Sequence, residues 1–96
     1  MIVVTGIGVI TALGTGKGAT IEGLKSGRSG ICSPGESRFG SMPLGEVRGF
    51  SAKDFIPAMK ARRLSRFTQL ALCSAIEAVD DSGLDIRAMD PFRAGA

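Results

Sequence analysis

An α/β fold is predicted for this chain from three stretches. Ile2-Val3-Val4-Thr5 is a continuous apolar, β-branched run closed by Gly6, which suits a strand buried on both faces. Gly18 to Ser26 places Ile21 and Leu24 at helical spacing and is followed by Gly27, where a helix stop belongs. Leu64 to Ser82 carries the strongest helical pattern and ends at Gly83. A strand leading into helices over 96 residues allows one small domain, not two.

The elements follow in order. After the first strand, Gly6, Gly8 and Gly14 punctuate a turn-rich segment. The helix over 18–26 is short and amphipathic. Ser29 to Met42 holds four Ser, three Gly and one Pro, an irregular loop by composition. Leu44 to Phe50 reads as a short extended piece, and Ser51-Ala-Lys-Asp54 has the S-x-x-D form of a capping box, which predicts a turn of helix before Pro57. In the long helix, at about 100° per residue, Leu64, Phe67, Ala71, Ala75, Ala78 and Val79 fall on one side, widened by Leu70, Leu72 and Ile76. The polar stripe is narrow: Arg66, Gln69, Glu77 and Asp80, with Cys73 in its middle. So narrow a stripe predicts a helix covered on most sides. A domain of this size can hardly surround it, so further chain is expected to do so. Asp90-Pro91 reads as a turn, and Arg93-Ala-Gly-Ala96 as the opening of another strand.

Composition narrows the function classes. Charged residues make up 22% of the chain and the net charge is +3, too small to imply nucleic acid by itself. There is no His, and Cys32 and Cys73 stand far apart, so Cys/His zinc spacing is excluded and two free thiols in a reducing cytosol are expected. The N-terminus has no charged region ahead of an apolar run, so no signal peptide is predicted. No apolar stretch approaches the roughly 18 to 20 residues that span a bilayer.

Two glycine motifs invite a nucleotide. Gly6-Ile-Gly8-Val-Ile-Thr11 follows a strand, but Thr11 stands where a dinucleotide fingerprint needs its third Gly, and no helix starts directly after Gly8. Gly14-Thr-Gly-Lys17 lacks the first Gly of a phosphate loop and has Gly18 where Ser or Thr belongs, so Lys17 is expected to be a solvated loop charge. A nucleophilic Cys needs a base or cation to lower its pKa, and with no His present a structural or idle thiol is the better reading of both cysteines. Lys60-Ala-Arg-Arg-Leu-Ser-Arg66 carries four positive charges and no acid. Arg62 and Arg63, just before the long helix, are expected to be fixed and exposed, so the run reads either as a solvated charged edge or as a dock for an anionic partner. No aromatic is interleaved among these charges, which argues against nucleic acid.

Taken together the chain resembles the N-terminal part of the β-ketoacyl-acyl-carrier-protein synthases, the condensing enzymes of type II fatty acid synthesis. Four segments carry the resemblance: Val3-Val-Thr-Gly-Ile-Gly-Val-Ile-Thr-Ala-Leu-Gly14, Leu24-Lys-Ser-Gly-Arg-Ser-Gly-Ile31, Gly45-Glu-Val-Arg-Gly-Phe50, and Arg62-Arg-Leu-Ser-Arg-Phe-Thr-Gln-Leu-Ala-Leu72 with its continuation Ala78-Val-Asp-Asp-Ser-Gly-Leu84. Their order and spacing match across nearly the whole chain. Ala12 stands where the family commonly has Pro, and Ser65 where Asp is frequent.

The resemblance implies a thiolase-type fold of alternating α-β-α-β-α layers, of which residues 1–96 would be the first portion, broken off at the start of a strand. It implies a homodimer in the cytoplasm that needs no added cofactor. A Cys thiolate would accept the acyl chain from acyl carrier protein, and two His would assist the decarboxylative Claisen condensation with malonyl-carrier protein, next to an oxyanion hole of backbone N–H groups. Those Cys and His positions lie beyond the matching segments, so no catalytic residue carries over and the 96 residues alone are expected to be inactive. Partner docking does carry over: Arg62 and Arg63 match the basic pair that holds the acidic carrier protein, with Lys60 nearby. The alternatives are a self-contained basic docking module for acyl carrier protein, a polyketide ketosynthase, or a chain-length factor.

Overall fold

The structure, a computed structural model, describes residues 1–33, 35 and 40–95. It is a mixed helix and small-sheet arrangement of the α/β kind. Strands β1 (Ile10–Thr11) and β2 (Gly14–Thr15) form an antiparallel hairpin with Ile10 opposite Thr15 and Thr11 opposite Gly14. Helix α1 (Lys17–Lys25) follows at once, then a 3₁₀ turn at Ala52–Asp54, helix α2 (Ala58–Arg62), and the long helix α3 (Arg66–Ser82). Two further 3₁₀ turns, Ile86–Ala88 and Pro91–Arg93, close the described chain.

Local chemistry explains the boundaries. α3 starts where the Ser65 side chain accepts the Thr68 N–H at 3.3 Å, and stops at Gly83, whose φ of 67° is the left-handed conformation glycine adopts without strain. Leu64, expected inside this helix, lies before its cap. α1 ends similarly, with Gly27 at φ 69°. The Ser51 side chain makes no cap hydrogen bond, so the expected capping box is absent although the turn it announced forms. Helix α2, where Pro57 supplies the first turn's preset φ, had no sequence signal of its own.

α3 organises the rest through polar side chains as well as through Leu70, Leu72 and Ile76, which pack against the core. Arg66 lies over the Phe50 ring at 4.7 Å. Gln69 Nε2 donates to the carbonyls of Ala61 at 2.8 Å and Leu64 at 3.4 Å. Cys73 is fully buried, against a cluster of Phe50, Ala52, Ile56 and Ala61. Glu77 accepts the backbone N–H groups of Val9 and Lys17, each at 3.0 Å. Asp81 accepts the Ile7 N–H at 3.0 Å and the Lys17 ammonium at 2.6 Å. Of the narrow polar stripe, Gln69, Cys73 and Glu77 thus face inward, with Asp81 beside them, while Arg66 and Asp80 are exposed; on the apolar side Leu64, Leu70, Leu72 and Ile76 pack against the core as expected. The segments α3 meets make few internal hydrogen bonds, and their backbone groups need partners that only polar side chains can supply. Phe67, Ala71 and Ala75, expected to be covered, are exposed.

The glycines of the first motif serve this contact. A Cβ on Gly8 would overlap the Ser74 carbonyl of α3, and one on Gly6 the Ala78 carbonyl, so only glycine lets this segment cross the helix backbone to backbone. Lys17 is not a free loop charge, because it is tied to Asp81.

Ile2–Thr5 does not form a strand, and these side chains are exposed, Ile2 and Val4 almost fully. A strand needs a neighbour to accept its ladder, and among the described residues none lies alongside. Leu44–Phe50 forms no strand, although the Leu44 carbonyl accepts the Cys32 N–H at 2.8 Å. At the other end, 94 and 95 show no strand pairing, while Ala96 and part of the predicted 29–42 loop lie outside the described residues. The slab measures 50 × 35 × 19 Å and its radius of gyration is 16.0 Å, against about 13 Å for a compact domain of this length. A small core and a broad exposed apolar surface account for the excess.

Candidate docking edge

The predicted docking residues stand on one short piece of backbone. Lys60 and Arg62 occupy the last turn of α2, and Arg63 is its C-terminal cap in a helical conformation. All three are exposed. Ala61 between them is buried, 4% exposed, and locks α2 onto the core. Gln69 completes the junction by donating to the Ala61 and Leu64 carbonyls, the first of which also accepts the Leu64 N–H at 3.2 Å. The basic residues therefore project from a fixed base.

Among the described residues no carboxylate lies within ion-pair distance of Lys60, Arg62 or Arg63. Four cations on 60–66 without an acid produce a local positive field, and a solvated field of that kind acts on approaching partners more than on stability. Arg66 joins them from the first turn of α3. Lys53, which no pattern in the sequence marked, joins from the 3₁₀ turn at Ala52–Asp54; the turn signal at 51–54 was the only hint that it would come near. Lys53, Arg62 and Arg66 line a hollow of 180 Å³ together with Phe50, Ser51 and Gln69.

The cysteines do not form a reactive centre with this edge. Burial pushes the Cys73 thiol up from its ordinary value, which disfavours the thiolate. Cys32 is buried elsewhere, 7% exposed, with the Arg48 guanidinium donating to its sulfur at 2.9 Å. Both thiols are free. The Gly6–Lys17 segment, held on α3 by Glu77 and Asp81, has its Val9 and Lys17 amides already committed and offers no phosphate cradle there. No cluster of metal-binding side chains occurs among the described residues, and no described helix is long and apolar enough to cross a membrane.

The model of the β-ketoacyl synthase N-terminal domain matches residues 1–96. The 3-oxoacyl-[acyl-carrier-protein] synthase 2 of Synechocystis sp. is 35% identical over 101 residues, covering 98% of this chain and 23% of the relative. The protein of the same name from Staphylococcus aureus (strain COL) is 35% identical over 99 residues, with 98% and 23% covered. That of Staphylococcus aureus (strain N315) is 37% identical over 90 residues, with 88% and 21% covered. The chain thus spans about a quarter of the length of the curated relatives it matches. A family model that fits from the first residue to the last, with relatives aligned over nearly the whole chain, places these 96 residues in the β-ketoacyl synthase family, as its N-terminal domain sequence.

Proposed function

We propose that the chain is the opening part of a β-ketoacyl-acyl-carrier-protein synthase of fatty acid biosynthesis, and that its task is to receive acyl carrier protein on the Lys60, Arg62 and Arg63 edge. The observation that carries this reading is the set of exposed cations on a rigid, core-anchored junction with no acid among the described residues paired to them. An acidic carrier meeting such an edge gains attraction during approach without first breaking internal ion pairs. The relatives' printed names, which specify acyl-carrier-protein substrates, support the same partner.

The intact enzyme would transfer an acyl group to a Cys thiolate and condense it with the carbanion left by decarboxylation of malonyl-carrier protein. None of that chemistry resides on this chain, which contains no His. Its other contribution is architectural. The thiolase-type layering would place further chain over the outer face of α3, where Phe67 is 82% exposed, and beside the unpaired 2–5 run. Dimerisation and a cytoplasmic setting belong to the same reading.

The test uses acyl carrier protein against the chain and against the Arg62→Glu, Arg63→Glu double variant. Binding that weakens at least tenfold in the variant, and that falls with added salt in the parent, is the expected result. Equal binding by both forms, or none by the parent, overturns the docking role. In the full-length enzyme, the same double variant should raise KM for the carrier substrate and leave kcat nearly unchanged, because the edge touches no reacting atom.

A further inference from the structure

The cations of this edge differ in position, and position sets what each does. Arg66 is held in place: its guanidinium lies 4.7 Å over the Phe50 ring and its Nη1 donates to the Phe50 carbonyl at 3.5 Å. Phe50 is itself 8% exposed and leans on Phe55 at a centroid distance of 6.1 Å. An arginine has five N–H donors in a planar fork, so most of the fork stays available while its orientation is fixed. The 180 Å³ hollow beside it has a floor of buried Phe50, Ala52 and Ala61 and is lined by the cations Lys53, Arg62 and Arg66 and, among the described residues, by no carboxylate. Its Arg66 wall is the first turn of the 17-residue helix α3, the positive end of the helix dipole. Lys60 and Arg63 lie on the same edge but outside this lining.

We propose that this hollow is an anchoring site for one carboxylate side chain of the acidic partner, held by Lys53, Arg62 and Arg66, while Lys60 and Arg63 act only in steering. The inference rests on the docking reading above and assigns roles within it. A carboxylate entering the hollow meets a preoriented guanidinium fork, two flexible cations and an apolar floor that excludes part of its water. Hydrogen bonds to a charged group in such a partly dry site resist dissociation. A cation on an open surface, by contrast, changes the rate of encounter and its salt dependence.

The experiment measures association and dissociation rates of acyl carrier protein on the chain at several salt concentrations, for the parent, Lys53→Gln, Arg66→Gln, Arg66→Lys and the Lys60→Gln, Arg63→Gln double variant. Arg66→Gln should raise the dissociation rate about tenfold and leave the association rate within about twofold. Lys53→Gln should shift the same rate in the same direction by a smaller factor. Arg66→Lys, which keeps the charge and loses the planar fork, should fall between parent and Arg66→Gln. The Lys60, Arg63 double variant should lower the association rate and flatten its salt dependence while dissociation stays at the parent value. Parent-like dissociation in both Lys53→Gln and Arg66→Gln overturns the anchoring site and leaves general docking standing. Absence of parent binding at every salt concentration overturns docking itself, and the anchoring site with it. If Arg66→Gln loses its far-ultraviolet circular dichroism, the exposed Lys53→Gln variant decides.

Discussion

Replacing Glu77 should release the whole N-terminal segment from α3. Its carboxylate accepts two backbone N–H groups from different parts of the chain, Val9 and Lys17, each at 3.0 Å. Glu77→Ala leaves both donors unpaired in a half-buried crevice, where water reaches them only in part. Hydrogen bonds to a charged group contribute about 1.5 to 3 kcal/mol each when buried. Discounting for partial exposure to about 1 kcal/mol each, the variant should lose about 2 kcal/mol. For a domain of this size that corresponds to a fall in Tm of about 8 to 16 °C. Glu77→Gln keeps one acceptor oxygen in place and should lose roughly half as much. A second readout needs no cooperative melt. Amide hydrogen exchange at Val9 and Lys17 should accelerate in Glu77→Ala, while amides in the middle of α3 hold their protection. If exchange at those two amides stays at the parent rate, or Tm moves by less than 2 °C or so, then the polar stripe of α3 does not organise this fold and the reasoning fails.

Other consequences follow from the same geometry. Gly8→Ala should destabilise the chain by more than about 2 kcal/mol, since the new Cβ collides with the backbone of α3, whereas Gly18→Ala in α1, with open space at its Cβ, should add about 0.5 to 1 kcal/mol; paired melts measure both. The Asp81 carboxyl is held below its ordinary value by the Lys17 hydrogen bond and then by the Ile7 N–H. A depressed carboxyl contributes stability above its unfolded pKa and loses it as pH falls through its folded value, so the advantage of the parent over Lys17→Met should be present at neutral pH and fade below about pH 4. Cys73 should resist alkylation at pH 8 until the chain is unfolded, because its thiol is fully buried and its pKa is raised; mass spectrometry after timed labelling checks this. The exposed run at 2–5, with Ile2, Val3 and Val4 all open to water, should drive concentration-dependent association, and Val4→Lys should reduce it in sedimentation runs.

What the sequence disclosed depended on whether a feature is local. Helix ends were legible because their causes lie within a few residues: Gly27 and Gly83 take left-handed φ values, and Ser65 caps α3 with its own side chain. The basic edge was legible as a charge run, and three of its members sit where their place before a long helix put them. Lys53 was not, because it joins the edge through a turn that brings residue 53 against residue 66. Part of the expected apolar face of α3, Phe67, Ala71 and Ala75, was misjudged for a related reason. Periodicity counts apolar side chains and assumes that they face the core, but here the core side, which does take in Leu70, Leu72 and Ile76, is set also by backbone donors and acceptors of 7, 9, 17, 61 and 64, which hydropathy does not register.

The glycine motif and the inward-facing acids of α3 have one cause. A Gly-x-Gly after an apolar run means that something must approach the backbone closely. A phosphate is one such object; a helix backbone is another, and at Gly6 and Gly8 it is the Ser74 to Ser82 stretch of α3. Once the segment lies that close, its N–H groups point into the helix surface and require acceptors there. Glu77 of the stripe and Asp81, one turn further on, are those acceptors. The glycines and the acids are thus halves of a single contact. The contact in turn leaves Phe67, Ala71 and Ala75 as the outer face of the helix. An apolar face left open on a helix already anchored on its other side is a surface that a further packed element can cover.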